Sequence, residues 1–436
     1  MAPYERRIAV IGGGIIGICT ALYLQEKGFQ VTVIDRAGGD EQRASYGNAG
    51  NLSPWSCVPE SLPGLWKSVP GWLLDPLGPM AVRARHLPAA TPWLLRFLYA
   101  GRRSNIPALA DALRSLYKPT VELYEKLLSG SGHEDLVRRC IYVQLYRQEE
   151  KADLKALAWR LRIERGADID LIGPGELREL EPALSHHYRR AMLIHGQGHS
   201  VNPNRLLGVL TERMLRQNGR IMRAEVNALR PGATSVVIET SQGSIEMPLV
   251  VVAMGAWSAN LLRPLGVKIP LETERGYHLT IPNPGVKVNN TLMEAGRMVV
   301  ASSMEGGLRL AGTVEFAGLR AKPNYRRAHN LAVLGKEIFP ALNVENASEW
   351  MGHRPSLPDS LPVIGRTPGH PNILLAFGHS HLGLSGGAPT GRLIAQLAAG
   401  EEPSIDLSPF RADRFTSTGS TSTSQENPYD HATRRL

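Results

Sequence analysis

Apolar runs of strand length alternate with helical spacing along this chain, and glycines stand where one gives way to the other. Ile8-Ala9-Val10-Ile11 runs into Gly12-Gly13-Gly14-Ile15-Ile16-Gly17. Residues 18–27 then read as a helix, and a second apolar run, Val31-Thr32-Val33-Ile34, ends at Asp35. The spacing Leu109-Leu113-Leu116 predicts helix over 107–129, and Leu154-Leu157-Leu161 predicts helix over 149–165. A helix near 204–217 precedes strands near 220–226, 235–240, 244–247 and 249–253. The last is Leu249-Val250-Val251-Val252-Ala253, apolar throughout, as a strand buried on both faces must be. Alternating β-rich segments continue through 268–315, a strand is expected at 373–377, and a helix from near Ser385 to Ala398. Residues 54–104 differ in texture. They are rich in Pro, Leu and Trp, and read as short helices and turns. The low-complexity stretch 416–436 is expected to be a disordered tail.

The first strand–glycine–helix–strand unit carries specific physics. Gly12 permits the tight turn, Gly14 lets the backbone approach a pyrophosphate, and Gly17 lets helix and strand pack closely. The helix N-terminus offers free N–H groups to the phosphates. Asp35 stands where a carboxylate would accept hydrogen bonds from an adenosine ribose. A dinucleotide site is therefore expected.

Composition narrows the setting. At 436 residues, with 43% hydrophobic and 20% charged residues, the chain predicts a soluble protein of two joined domains. The net charge of +9 comes from scattered Lys and Arg with no long basic block, which argues against a nucleic-acid partner. Cys19, Cys57 and Cys140 form no CxxC pair, so neither a disulfide scaffold nor a metal site is expected, and Cys19 reads as a small core residue. The first strand begins within ten residues, leaving no room for a signal peptide, and no apolar run is long enough to span a membrane. A cytoplasmic setting follows.

A second glycine-rich constellation lies near the C-terminal end. Ile373-Leu374-Leu375-Ala376-Phe377 meets Gly378-His379-Ser380-His381-Leu382-Gly383, and the last helix follows. A second glycine-fed helix N-terminus can hold negative charge developing on a reduced flavin, which a nicotinamide enzyme does not need. The dinucleotide is then FAD. Its domain is expected to be discontinuous, assembled from 1–53, 195–260 and 350–400, with 54–194 and 261–349 interleaved as a substrate domain.

Taken in order, the fingerprint at 11–17, Ser45-Tyr46-Gly47-Asn48-Ala49-Gly50, Gly198-His199-Ser200-Val201-Asn202-Pro203, Glu274-Arg275-Gly276-Tyr277-His278, Gly352-His353-Arg354-Pro355 and Gly378–Gly383 resemble the FAD-dependent D-amino-acid oxidase superfamily. The resemblance spans about residues 6–415 and is strongest to the D-amino acid dehydrogenase and D-hydroxyproline dehydrogenase-like branch. It implies an α/β fold in which a discontinuous Rossmann-type FAD-binding domain is interleaved with an α+β substrate domain built on a large mixed β-sheet. It also implies noncovalent FAD, held by Gly12, Gly14, Ile15, Ile16 and Gly17 at the pyrophosphate, by Asp35 at the ribose and by Arg36 along the adenosine. Ser45, Asn48, Ala49, Gly50, Asn51 and Leu52 would follow the pyrophosphate and ribityl chain, with Ser53 near them. Val226 would bond adenine through its backbone, Gly255 closes the middle strand, and Gly378, His379, Leu382, Gly383 and Leu384 would face the flavin.

The implied activity is oxidation of a D-amino acid, or of D-hydroxyproline, at the Cα–N bond, with electrons passed to a quinone or another acceptor. An oxidase of sarcosine, glycine or opines, and a flavin-binding subunit of a larger dehydrogenase, are the alternatives. Such chemistry needs a clamp on the substrate carboxylate, for which the planar fork of arginine is suited. Arg275 and Arg354 are the candidates. Tyr277, two residues on from Arg275 and so on the same strand face, would share the carboxylate, and His379 would steer the amine or the flavin. His353 alternates to the face opposite Arg354. The Trp- and Leu-rich 54–104 stretch, interleaved with Lys67, Arg83, Arg85, Arg96, Arg102 and Arg103, suits either an anionic membrane surface or a lid over the site. An oligomer is compatible with all of this.

Overall fold

The computed structural model describes residues 6–36 and 43–416, so the expected tail, from residue 417 on, lies outside the described residues. A six-stranded sheet is built from distant pieces of chain. Its order is Val363–Thr367, His370–Phe377, Leu249–Val252, Arg7–Ile11, Gln30–Asp35 and Arg220–Arg223. All neighbours are parallel except the first pair. The central strands are fully buried, which is why Ile8–Ile11 and Val250–Val252 are continuously apolar. Two helices, Ile15–Glu26 and Gly383–Ala399, pack against each other beside this sheet. Their approach needs small residues: a Cβ on Gly391 would lie 2.7 Å from the Cys19 carbonyl carbon. Cys19 is the buried core residue expected, its thiol pushed up to about 12 by burial.

The second sheet has ten strands of mixed direction. Its main path runs Ser348–Ser356, Glu272–Ile281, Gly307–Phe316, Val299–Met304, Thr291–Glu294, Val137–Tyr146, Arg190–Ser200 and Asn51–Leu52. Met80–Val82 pairs with Gly307–Phe316, and Ile169–Ile172 with Arg190–Ser200. Arg190–Ser200 and Ser348–Ser356 thus belong to the large sheet, although the sequence reading assigned 195–260 and 350–400 to the cofactor domain.

The expected helix over 107–129 is broken into Ile106–Tyr117 and Thr120–Leu128, because Pro119 cannot donate a helical hydrogen bond. Over 149–165 only Leu157–Glu164 is α-helical. The run expected at 220–226 ends at Arg223, and a separate strand, Val226–Pro231, begins a three-stranded antiparallel sheet with Val236–Thr240 and Gly243–Met247. Residues 54–104 fold largely as helical segments, of which Val69–Leu74 and Leu87–Ala100 are α-helices. No helix among the described residues is long and apolar enough to cross a membrane.

Candidate active site

The glycine fingerprint folds as its chemistry requires. Gly12 has φ +112°, and a Cβ there would sit 2.3 Å from the Ala253 carbonyl oxygen. A Cβ on Gly17 would lie 1.8 Å from the Gly12 carbonyl oxygen, so helix and turn touch backbone to backbone. Gly14, by contrast, faces open space, with only the Ser45 hydroxyl 3.6 Å from where a Cβ would be. The helix that starts at Ile15 has no acid in its first turn and no side-chain cap at Gly14. Ser45 Oγ does accept the Ile15 N–H at 3.1 Å. The Asp35 carboxylate accepts the Gly13 N–H at 2.5 Å and an Arg43 N–H at 3.1 Å, which fixes both it and the glycine turn. Arg36 lies over the Trp257 ring at 4.2 Å.

The last helix opens on the same space. Gly383–Ala399 has no acid in its first turn and no side-chain cap, and a Cβ on Gly383 would meet nothing within 4 Å. Two uncapped helix N-termini therefore face one cavity of about 1210 Å³. That exceeds the roughly 300–1,000 Å³ of an ordinary small-molecule pocket, and suits a dinucleotide together with a substrate. Of the residues expected to hold FAD, Gly12, Gly14, Ile15, Ile16, Asp35, Arg36, Ser45, Asn48, Ala49, Asn51, Val226, Gly255, Gly378, His379, Leu382, Gly383 and Leu384 line it. Gly17, Gly50 and Leu52 support the wall from behind: Gly17 under the turn, Gly50 against His199, and Leu52 in the core. Asn51 adds a buried Oδ1 with no hydrogen-bond partner. An open cradle at Gly14, two helix ends with no acid in the first turn and no N-cap side chain, and an orphaned acceptor fit an elongated anionic cofactor such as FAD.

The large sheet supplies the opposite wall. Val82, Phe316, Glu274 and Arg354 stand directly opposite one another across four strands and all line the cavity. The next row on that face is Met80, Val314, Gly276 and Gly352. Because Gly276 lacks a side chain, the Arg354 guanidinium lies across it: a Cβ there would be 2.3 Å from Nη2 and 2.4 Å from Cζ. Arg354 makes no hydrogen bond or ion pair to any described residue, although burial lowers its proton affinity and the nearby carboxyls of Glu274 and Glu60 raise it. It is a largely enclosed, unpaired cation aimed into the cavity. Trp93 donates to the Ser356 carbonyl at 3.2 Å and packs on Phe316, ring centroids 5.5 Å apart, which builds an apolar wall beside it.

Arg275 does not join that clamp. It is fully buried in the intervening row, donating to the carbonyls of Gly318 (2.6 Å), Ala321 (2.6 Å) and Lys322 (3.2 Å) and lying 3.7 Å from Glu315. Its forks are saturated by the loop 318–322. Tyr277 does share a side of the strand with Arg275, but its hydroxyl donates to Glu315 at 2.5 Å and accepts from Asn324 N–H at 3.0 Å. Neither has a free donor for a substrate carboxylate. Burial, then the bond to Glu315, pushes the Tyr277 phenol up to about 12.

His379 is buried, paired with Thr390 Oγ1 at 2.8 Å, and pushed down to about 3 by burial, so it is neutral. His353, expected to face away, lines the cavity rim with Nδ1 2.9 Å from Thr273 Oγ1; burial, then the charges of Arg275 and Arg36, lower it to about 4. Sequence reasoning missed Glu60, Glu274 and His381, which also line the cavity. Glu274 had a signal: it precedes Arg275, and alternation puts it on the face of Gly276.

Comparison with known proteins agrees with this geometry. The family model for DAO, FAD dependent oxidoreductase, matches residues 7–397. A D-amino-acid oxidase of Bradyrhizobium diazoefficiens is 40% identical over 95% of this chain and 100% of its own length. A D-amino acid dehydrogenase of the same organism is 27% identical over 94% of this chain and 99% of its own. Among solved structures, glycine oxidase from Geobacillus kaustophilus (TM-score 0.70, 22% identity, 94% and 99% covered) and L-proline dehydrogenase from P. horikoshii (0.72, 20%, 94% and 97%) share the fold. With two uncapped helix ends, a glycine cradle and a family match over nearly its whole length, the chain belongs to the DAO family of FAD-dependent oxidoreductases.

Proposed function

We propose that this enzyme oxidises D-amino acids, D-hydroxyproline included, at the Cα–N bond to the imino acid. The observation that carries it is Arg354, the unpaired guanidinium in the cavity wall, suited to two parallel hydrogen bonds with a substrate carboxylate. When bound, FAD supplies the hydride acceptor. This chain's residues do the rest: Arg354, seated over Gly276, fixes the carboxylate, and Trp93 and Phe316 pack the side chain. The names of the relatives support D-substrates.

A quinone-class acceptor, met at an anionic membrane surface, fits the exposed apolar residues Trp66, Leu74, Leu95 and Leu98 and the exposed Lys67, Arg96 and Arg103 of the same segment, of which Trp66 and Leu98 also line the cavity. Oxygen is the second acceptor, favoured by the oxidase name of the 40% identical relative. The test is anaerobic loss of flavin absorbance with a panel of D- and L-amino acids, both hydroxyproline epimers, sarcosine and glycine. Selective bleaching by D-amino acids supports the reading, and bleaching by none refutes it. Oxygen uptake against quinone reduction, with and without anionic vesicles, assigns the acceptor.

A further inference from the structure

The cavity wall holds a carboxylate–imidazole pair that neither the clamp nor the cofactor contacts use. His381 Nδ1 and Glu60 Oε1 are 2.7 Å apart. Glu60 is held in place by its backbone N–H, which donates to Ser360 Oγ at 2.9 Å. Its side chain is mostly buried, at 21% exposed, whereas that of His381 is 51% exposed. Both line the cavity, His381 as the more accessible member of the pair. His381 sits in the turn Ser380–Leu382 that feeds the helix Gly383–Ala399, and that turn packs against Arg354's strand at the cavity wall. With Nδ1 committed to Glu60, its Nε2 has no hydrogen-bond partner among the described residues.

An amino acid arrives as an ammonium, and its nitrogen must be neutral before the Cα–N bond can become C=N. The other titratable groups at this end of the cavity cannot take that proton. His379 and His353 are held neutral by burial far below the range where they would accept it, and each has a ring nitrogen engaged with a threonine. The Tyr277 hydroxyl is tied to Glu315. Glu274 is kept in its protonated form by burial and by the charge of Glu60. The charged and titratable groups facing Glu60 are His381 from the turn, Arg354 and Glu274 from two strands, and Tyr117 from the helix Ile106–Tyr117. Burial pushes the Glu60 carboxyl up, but the bond to His381 and the charges of His381 and Arg354 outweigh it and leave Glu60 ionised.

We propose that His381 is the catalytic base that takes the proton of the substrate ammonium, and that Glu60 orients its ring and stabilises the imidazolium. In that step an ammonium N–H bond breaks, its electron pair stays on the substrate nitrogen, and a new N–H bond forms at His381 Nε2. No atom changes oxidation state. The freed lone pair can then form C=N as hydride leaves the α-carbon, and the exposed imidazolium returns its proton to solvent. The Nδ1–H donated to Glu60 fixes the tautomer, as a carboxylate does in other acid–base pairs. This rests on the proposed amino acid oxidation.

The experiment compares wild type, His381→Asn and Glu60→Gln as FAD-loaded proteins, with one D-amino acid, reading anaerobic flavin reduction against pH. In wild type kcat/KM should rise along an acid limb and then hold level. His381→Asn should lose about 10²–10⁴-fold at pH 7, and recover about tenfold per pH unit toward the amine's own titration. Glu60→Gln should move the acid limb to lower pH, because the imidazolium loses its anion. A second readout needs no turnover: 2-aminoisobutyrate has no Cα–H, and its Kd from flavin absorbance should follow the same acid limb in wild type but not in His381→Asn. A loss equal at every pH, or a wild-type profile in His381→Asn, overturns the inference. Should Glu60→Gln not retain FAD, the half-exposed His381 still decides it. If wild-type flavin is bleached by no amino acid, the proposed function fails instead.

Discussion

Replacing Gly276 by alanine should damage the substrate site while leaving the fold intact. The new Cβ would sit 2.3 Å from Arg354 Nη2 and 2.4 Å from Cζ, where ordinary contact begins near 3.4 Å. The guanidinium must therefore retreat by about 1 Å. It is the far end of a flexible side chain, so the retreat costs little in stability, and alanine in a strand gains about 0.5–1 kcal/mol over glycine. The clamp is what suffers. A hydrogen bond between charged groups contributes about 1.5–3 kcal/mol. Losing one of the two bonds of a bidentate pair then lowers kcat/KM by roughly 10–150-fold, at about 1.4 kcal/mol per tenfold. Because the carboxylate is held alike in ground and transition states, most of the loss should be in KM. The assay is steady-state kinetics with one D-amino acid, beside flavin content and Tm for the same preparation. Unchanged kinetics with full flavin content would show that Arg354 does not clamp the substrate. A collapsed Tm would show that the floor at Gly276 is structural.

Arg275→Ala should instead be a stability mutant. It leaves the Gly318 and Ala321 carbonyls unmet in a buried site, while Glu315 and the Lys322 carbonyl keep Arg83, at a cost of about 1–3 kcal/mol for each unpaired group; thermal unfolding should show a clear drop in Tm, and a normal Tm with a raised KM would restore Arg275 to the clamp. Gly14→Ala and Gly17→Ala should separate cofactor binding from folding. The first should give a folded protein that loses FAD on gel filtration, the second little soluble protein, since its Cβ would lie 1.8 Å from a carbonyl oxygen. Finally, His278 and His379 are both lowered to about 3, chiefly by burial, whereas the unfolded chain protonates near 6.5. As pH falls from about 6.5 toward 3 the unfolded state binds protons that the folded state refuses, so stability is lost on acidification, by up to about 1.4 kcal/mol per pH unit for each ring. Denaturant midpoints at pH 7, 6 and 5 should fall accordingly, and less steeply in His278→Gln; an equal slope in that variant would remove His278 from the account.

What the sequence makes legible here is what short-range geometry dictates. Gly12, Gly14 and Gly17 can be assigned separate duties because a strand turning into a helix makes a fixed demand at each position, and the structure places a positive φ, an open cradle and a backbone contact at the three. The burial of Leu249–Val252 follows from its unbroken apolar run. Side-chain duties in the large sheet are different, because they depend on which strands become neighbours. Period-two spacing correctly joins Arg275 to Tyr277, which meet at Glu315, but it cannot say which face looks onto the cavity. That is decided by pairing with Gly307–Phe316 and Ser348–Ser356, and by an irregularity at Thr313, a β-branched residue at φ 58° that no local pattern announces.

The same pairing turns two unremarkable residues into a site. Gly276 and Arg354 are nearly eighty positions apart, yet as adjacent-row neighbours the missing side chain of one is the resting place of the other. Arg275, the more obvious arginine, fails as a clamp for the complementary reason. A cation that is fully buried must be saturated by the protein itself, and one so saturated has nothing left to offer a ligand. In this fold the arginine to search for is the enclosed one whose hydrogen bonds are missing.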